Sequence, residues 1–304
     1  MKKIKVAVLM GGRSSEHEIS IISGNEVVKN LDKNKYEVLP VILAKSVGNI
    51  EIPKSIDIAF IAMHGPFGED GTIQGMLELM NIPYTGSGVL ASALGMDKIK
   101  FRMIMKAKKI PIPKYIVVNK GDKIKNLKSL GGYPHFVKPH NQGSSVGASI
   151  ARNKNELTNS LNKAFEYSEI AIIDEYIKGR ELTCSIIGNR NPIALPILEI
   201  IPKKGDFFDY NSKYTKNGSD EIVPVDIPDK IIKRIQKLSI EIYKVIGCKG
   251  FARVDFLLRD NNIYVLEINT IPGLTQMSLL PKAAKAVGIS YSKLLDIVIN
   301  NAIN

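Results

Sequence analysis

Two acidic residues near the end of the chain are spaced for metal or phosphate chemistry. The segments GFARVDFLL and IYVLEIN flank the turn RDNN. Side chains alternate faces along a strand, so Arg253 and Asp255 point one way on the first, and Glu267 and Asn269 share a face of the second. A three-residue loop at Asp260–Asn262 places Asp255 opposite Glu267 and Arg253 opposite Asn269. Val254, Phe256, Leu266 and Ile268 then turn into a core. Facing carboxylates repel unless something compensates them. A hard dication is one compensation, because Mg²⁺ takes one or two carboxylates plus phosphate oxygens. Arg253 is another, and with it the face is a polar strand surface that needs no ion. A slip of one residue in register removes the geometry.

A second cluster pairs a lysine with a glycine-serine turn. Lys138 precedes His140-Asn-Gln-Gly-Ser-Ser-Val-Gly147, where backbone N–H groups and hydroxyls can approach phosphate oxygens. The pattern is neither a P-loop nor GxGxxG, and alone it equally describes an inert hairpin turn. Gly11–Glu18 follows the first predicted strand, where α/β folds place ligand loops; Ser15 and Glu18 would also serve as an ordinary helix cap. His64 stands at the end of the third predicted strand. Asn269–Gly273 is a turn able to aim N–H groups at an anion. The four histidines and two cysteines lack zinc spacing, and no GxSxG elbow is present.

The elements that must carry these groups follow from periodicity. KVAVLM, 36–43 and 57–63 are short Val/Ile-rich runs, with a helical pattern over 20–31 between the first two, which predicts βαβ units on a parallel sheet. Residues 70–80 read as a helix, and this unit ends near Gly95. A basic helix over 97–109 is closed by IPIPK. Strands at 115–118, 135–138, 147–151, 170–177 and 181–187, with a helix over 153–167, predict a small α+β unit with an antiparallel sheet. LPILEII then leads into a polar segment, 203–223, that carries Phe207, Phe208, Tyr210 and Tyr214. A loop this long in a compact domain suits a lid. An amphipathic helix, 229–246, precedes the hairpin. The expected division is 1–95, 96–188 and 189–304.

The net charge of +12 comes from 42 Lys and Arg against 30 Asp and Glu. It permits a polyanion such as nucleic acid, but the lysines are scattered and no basic run or aromatic RNA motif accompanies them. The expectation is therefore no nucleic-acid partner. No apolar run approaches the ~20 residues of a membrane helix. The apolar stretch Val6–Met10 is short for a signal core and Gly-Gly follows it, and two cysteines make no disulfide framework. A cytoplasmic protein with no membrane partner is expected.

In series, GGRSSEHEIS, AMHGPFGEDGTIQGMLELMNIPYTGSGVLASALGMDK, VKPHNQGSSVG, FFDYNSKY, GCKGFARVDF and LEINTIPGLTQMSLLP resemble the D-alanine–D-alanine ligases of the ATP-grasp superfamily, over essentially the whole chain. The resemblance implies an α/β fold of three units, with ATP gripped between the sheets of the last two. It implies that Lys98 and Lys138 contact phosphates, that the strand edge Asp174, Glu175, Tyr176 and Ile177 meets adenine mainly through its backbone, and that Glu181 meets the ribose. It assigns Asp255, Glu267 and Asn269 to two Mg²⁺ ions, with Mn²⁺ as the substitute. It gives Glu16 the ammonium of the first D-alanine, and joins Glu16, Ser144 and Tyr214 in a hydrogen-bonded trio. Lys213 holds the transferred phosphate, while Arg253 and the Gly273 N–H meet an oxyanion. Ser278 and the Leu279 backbone take the second carboxylate, with His64 nearby. The implied reaction forms an acyl phosphate, then D-alanyl-D-alanine, ADP and phosphate, for peptidoglycan synthesis in a homodimer. The Lys213-Tyr214 pair favours an amine acceptor, whereas a D-alanine–D-lactate ligase, another carboxylate–amine ligase, and a nucleic-acid-binding or non-catalytic ATP-binding protein are the competing readings.

Overall fold

The computed structural model describes residues 2–46, 50–53, 55–203 and 218–303. The predicted Lys213 and Tyr214, and most of the segment 203–223, lie outside the described residues. The chain opens with β1 (Ile4–Gly11), α1 (His17–Asn30), β2 (Tyr36–Leu43) and β3 (Ile58–Ile61). β1 is the central strand of a parallel sheet ordered β2-β1-β3. Val6–Met10 are fully buried, as expected of a parallel strand covered on both faces. The helices α2 (Thr72–Leu79), α3 (Val89–Met96) and α4 (Lys98–Ala107) follow. Asp97 caps α4 by accepting from the N–H groups of Ile99 and Lys100, satisfying donors that have no partner inside the helix.

A second sheet is antiparallel throughout, ordered β4 (Tyr115–Asn119), β7 (Ile170–Glu175), β5 (His135–Pro139) and β6 (Ser149–Ala151), with α5 (Lys154–Phe165) packed on it. The next strand, β8 (Arg180–Ile187), leaves this sheet and pairs with β10 (Leu198–Pro202) and β12 (Phe251–Arg259). The sequence pattern grouped 181–187 with the central sheet. The two sheets part at Gly179, where a Cβ would lie 2.7 Å from the Leu258 carbonyl oxygen; without one, the chain crosses directly onto the end of β12. The third sheet is completed by β9 (Ile193–Ala194), β11 (Ser219–Ile222) and β13 (Asn262–Asn269).

Behind it lies α6 (Asp229–Ile246), whose buried Ile231, Ile235, Ser239, Ile242 and Ile246 form one helical stripe. The chain ends in α7 (Leu279–Ala286) and α8 (Tyr291–Ile303). One hydrophobic cluster joins β1–β3 to Ile187, Leu198, Phe251 and residues of α7 and α8. The central sheet keeps a separate core around Val137, Leu157 and Ile173. The fold is thus a mixed α/β assembly with a cleft between the second and third sheets.

The hairpin turn differs from its expected length. Asp260 and Asn261 adopt φ of 50° and 65°, so the loop has two residues, in the left-handed pair that suits a tight hairpin. Arg259 therefore pairs with Asn262, and Phe256 with Val265. An irregularity between Asp255 and Phe256 then makes Leu266 the extra residue and restores Asp255 opposite Glu267 and Arg253 opposite Asn269. Leu266 is the casualty of the expected register. It lines the cleft beside Leu257 rather than entering the core.

Candidate functional site

The floor of the site is the β8–β12–β13 face. Asp255 is nearly buried and collects four donors. Arg253 donates from Nε to Oδ1 at 2.8 Å and from Nη2 to Oδ2 at 2.7 Å. Thr183, its register partner on β8, donates to Oδ1 at 2.6 Å, and the Asn269 amide donates to Oδ2 at 3.0 Å. Burial works against a charge on Arg253, but Asp255 outweighs it and raises the guanidinium pKa above its ordinary value. Glu267 is met from another element: Lys98, on α4, places Nζ 3.0 Å from Glu267 Oε2 and donates to the Gln142 carbonyl at 2.7 Å. One lysine thus ties the hairpin to the glycine-serine loop.

The cleft above this floor has a volume of about 470 Å³. Lys98, Lys138, Asp255 and Glu267 stand on its wall. Asp174, Glu175, Tyr176, Ile177 and Glu181 run along its edge. Leu257 and Leu266 supply an apolar patch, a combination suited to a flat ring joined to an anion. Lys138 Nζ lies 3.2 Å from Asp174 Oδ2. Burial pushes the Lys138 ammonium down to about 8. Burial would raise the Asp174 carboxyl, but Arg102 and Lys138 hold it below the usual carboxylate range.

The rim is a group of loop residues adjoining Ser145 on the cleft wall, and it contributes none of the lining side chains named above. Glu16, 2% exposed, accepts a hydrogen bond from the Ser144 hydroxyl across 128 residues of chain. Ser144 and Ser145 both have positive φ, 49° and 59°, a costly conformation for residues with a side chain. Glu16 begins α1 without a side-chain cap, so Gly11–Glu18 is no ordinary capping box. His64 is buried with both ring nitrogens engaged, Nε2 2.9 Å from Ser23 Oγ and Nδ1 3.4 Å from Glu69 Oε1. Burial opposes its charge, but Glu69 and then Glu16 raise its pKa. At Gly273 a Cβ would lie 2.7 Å from Ser278 Oγ, so only glycine lets the turn close on Ser278. That serine stands at the N-cap of α7, where unpaired N–H groups and the helix dipole favour an anion.

Models of known protein families match most of the chain. The "D-ala D-ala ligase C-terminus" model matches residues 104–300, and the "D-ala D-ala ligase N-terminus" model matches 5–51 and 44–87. A D-alanine–D-alanine ligase of Bacillus anthracis is 44% identical over 302 residues, covering 99% of this chain and 97% of the relative. The chain belongs to the D-alanine–D-alanine ligase family. Among solved members, the Bacillus anthracis ligase superposes with a TM-score of 0.88 at 44% identity, and its ATP complex with 0.83 at 39%; each match covers 99% of this chain and 97% of the other.

Family membership sharpens the question of what the floor can hold. Among the described residues no three His, Cys, Asp or Glu side chains gather as a metal cluster. An ion here would draw on Asp255, Glu267 and the amide oxygen of Asn269, all hard donors, and take its remaining ligands from substrate oxygens; that donor set fits a dication of the Mg²⁺ type. Of the residues expected from sequence, Lys98, Lys138, Asp174, Glu175, Tyr176, Ile177, Glu181, Asp255 and Glu267 line one cleft. Arg253 and Asn269 join Asp255, and Glu16 joins Ser144. Three polar residues escaped sequence reasoning: Arg102, Thr183 and Glu69. Thr183 carried a legible signal, since any strand paired with β12 presents a residue opposite Asp255. Glu69, which also accepts from the Gly65 N–H at 3.1 Å, carried none beyond its place in a polar motif.

Proposed function

We propose that this chain joins two D-alanine molecules into D-alanyl-D-alanine at the expense of ATP, in an ATP-grasp fold whose second and third sheets hold the nucleotide between them. The observation that carries this reading is the register pair Asp255–Glu267 at the bottom of the cleft, with Arg253 and Asn269 beside it and Lys98 reaching Glu267 from α4. Asp255, Glu267 and Asn269 would hold two Mg²⁺ ions, or Mn²⁺ in their place. Bound there, the ions offset charge on the phosphate oxygens.

Lys98 and Lys138 bind the phosphates. The backbone of Asp174, Glu175, Tyr176 and Ile177 meets the adenine edge, Glu181 meets the ribose, and Leu257 with Leu266 packs against the base. Glu16, fixed by Ser144, holds the ammonium of the first D-alanine. The carboxylate of that substrate attacks the γ-phosphorus, ADP departs, and an acyl phosphate forms. Ser278 and the Leu279 N–H take the carboxylate of the second D-alanine beside His64. Its neutral amine attacks the acyl carbon, the new oxyanion is met by Arg253 and the Gly273 N–H, and phosphate leaves with the proton shed by the amine as the amide forms. Lys213 and Tyr214 belong to the same proposal, holding the phosphate and completing the trio with Glu16 and Ser144.

The units of this reading are 1–95, 96–188 and 189–304, with β8 the strand by which the second unit pairs into the sheet of the third. Its setting is the cytoplasm and its purpose is peptidoglycan precursor synthesis; among the described residues no helix is long and apolar enough to cross a membrane. A homodimer is supported by Leu79, Met80, Val89 and Leu90, exposed at the adjoining helices α2 and α3. No nucleic-acid partner is proposed. The test is ADP release from ATP and Mg²⁺ with and without D-alanine, followed by identification of the dipeptide. Absence of D-alanine-stimulated release would overturn the reading, and preferential ester formation with D-lactate present would replace its acceptor.

A further inference from the structure

Behind the cleft wall, Lys138 and Asp174 are joined by a third charge. Arg102, on α4, is 0% exposed and is no part of the cleft lining. Its Nη1 donates to Asp174 Oδ1 and its Nη2 to Oδ2 at 2.8 Å. The guanidinium carbon lies 4.9 Å from the centre of the Tyr115 ring, and Tyr115 is the register partner of Asp174 on β4. Arg102 and Lys138 therefore compete for one carboxylate, and the row Arg102–Asp174–Lys138 carries a surplus positive charge at the end that faces the cleft.

The physics of the row assigns that surplus a use. Without Arg102, Lys138 and Asp174 would make a neutral buried pair. In a site of low dielectric their mutual attraction would hold the ammonium against the carboxylate, away from any ligand. The arginine fork, planar and permanently charged, occupies both carboxylate oxygens and weakens that hold. Arginine is also an uneconomical choice for stability alone: its Nε is buried with no hydrogen-bond partner among the described residues, and such donors are rare without another reason. We propose that Arg102 is a positioning residue that acts through Asp174, balancing its charge so that the Lys138 ammonium is free to bind phosphate oxygens of the nucleotide. The proposal rests on the nucleotide reading of the cleft given above.

The test compares the wild-type chain with Arg102→Gln and with the double variant Arg102→Gln/Asp174→Asn. The measurements are calorimetric ATP affinity, the Michaelis constants for ATP and D-alanine, turnover, and melting temperature. Arg102→Gln removes the charge and keeps side-chain donors. ATP binding is expected to weaken by about tenfold or more, the scale of an unbalanced buried charge pair. Turnover at saturating ATP and the D-alanine constant should stay within about threefold, a split that general loosening of the fold would not produce. In the double variant the competing carboxylate charge is gone, and at least half of the loss, on a logarithmic scale, is expected to return. Unchanged ATP affinity in Arg102→Gln, or no recovery in the double variant, overturns the proposal. If the single variant does not fold, the double variant decides alone: a loss of ATP affinity under about tenfold supports the role, and a larger loss overturns it. Failure of the wild-type chain to bind ATP would instead reject the nucleotide reading itself, before any variant is compared.

Discussion

The floor and the rim of the site hold their carboxylates in opposite ways. On the floor, Asp255 receives its donors from Arg253, Thr183 and Asn269, all on paired strands of one sheet. Their relative positions are set by register, and a register cannot shift without turning every buried side chain outward. On the rim, Glu16 is held by Ser144 from a loop in which two successive serines adopt a left-handed backbone. That arrangement has no ladder behind it and persists because the surrounding contacts over-determine it. The contrast separates two tasks. In the proposed reaction, the groups that meet charge sit on the rigid element, where preorganisation is most effective. The groups proposed to admit and release a substrate sit on the loop, where opening costs less.

The largest effect should come from the floor. Arg253→Ala is expected to lower turnover by about 10²–10³, the scale seen when an oxyanion donor is removed, measured as D-alanine-stimulated ADP release at saturating substrates. Near-normal turnover would take Arg253 out of the mechanism and break the contrast at its strong end. On the rim, Ser144→Ala removes a donor from the buried, charged Glu16. The expected loss is about 1.5–3 kcal/mol, appropriate to a hydrogen bond with an ionised group, and it should appear mainly in the Michaelis constant for D-alanine. A fall in turnover matching that of Arg253→Ala, with the constants unmoved, would show that the rim is as rigid a part of the machinery as the floor.

The same contrast explains what could be read without coordinates. Strand alternation placed Arg253, Asp255, Glu267 and Asn269 on one face, because a period of two survives almost any tertiary context. It did so with a loop one residue too long. The bulge at Leu266 supplies the missing residue, so the two departures cancel for Glu267 and Asn269, and only Leu266 changes sides. α3 was invisible because VLASALGM is apolar nearly all round and has no polar face to mark its period. Arg102 and Asp174 lie 72 positions apart, and no local spacing announces a partner at that range. The loops Gly11–Glu18 and His140–Gly147 were legible as ligand-loop candidates, but the pairing of Glu16 with Ser144 only through resemblance, since loop conformation leaves little periodic trace.

Lys138 stands between floor and rim, and its protonation gives the mildest test of the cleft. Burial pushes its ammonium down to about 8 from an ordinary value of 10.5, with Asp174, Arg102, Glu267 and Lys98 as its charged neighbours. If the protonated form is the one that binds phosphate, kcat/KM for ATP, which follows ionisations of the free enzyme, should fall by about tenfold between pH 7 and pH 9. Stability should move the other way. The folded pKa lies below the unfolded one, so between about 8 and 10.5 the unfolded chain binds more protons, and the contribution of this group to stability rises with pH. Lys138→Met should abolish the downward limb, while Ser144→Ala on the rim should leave it in place. A flat profile in the wild-type chain from pH 7 to pH 9 would show that Lys138 does not contact the nucleotide as a cation, and would leave Lys98 as the lysine that joins the floor to its substrate.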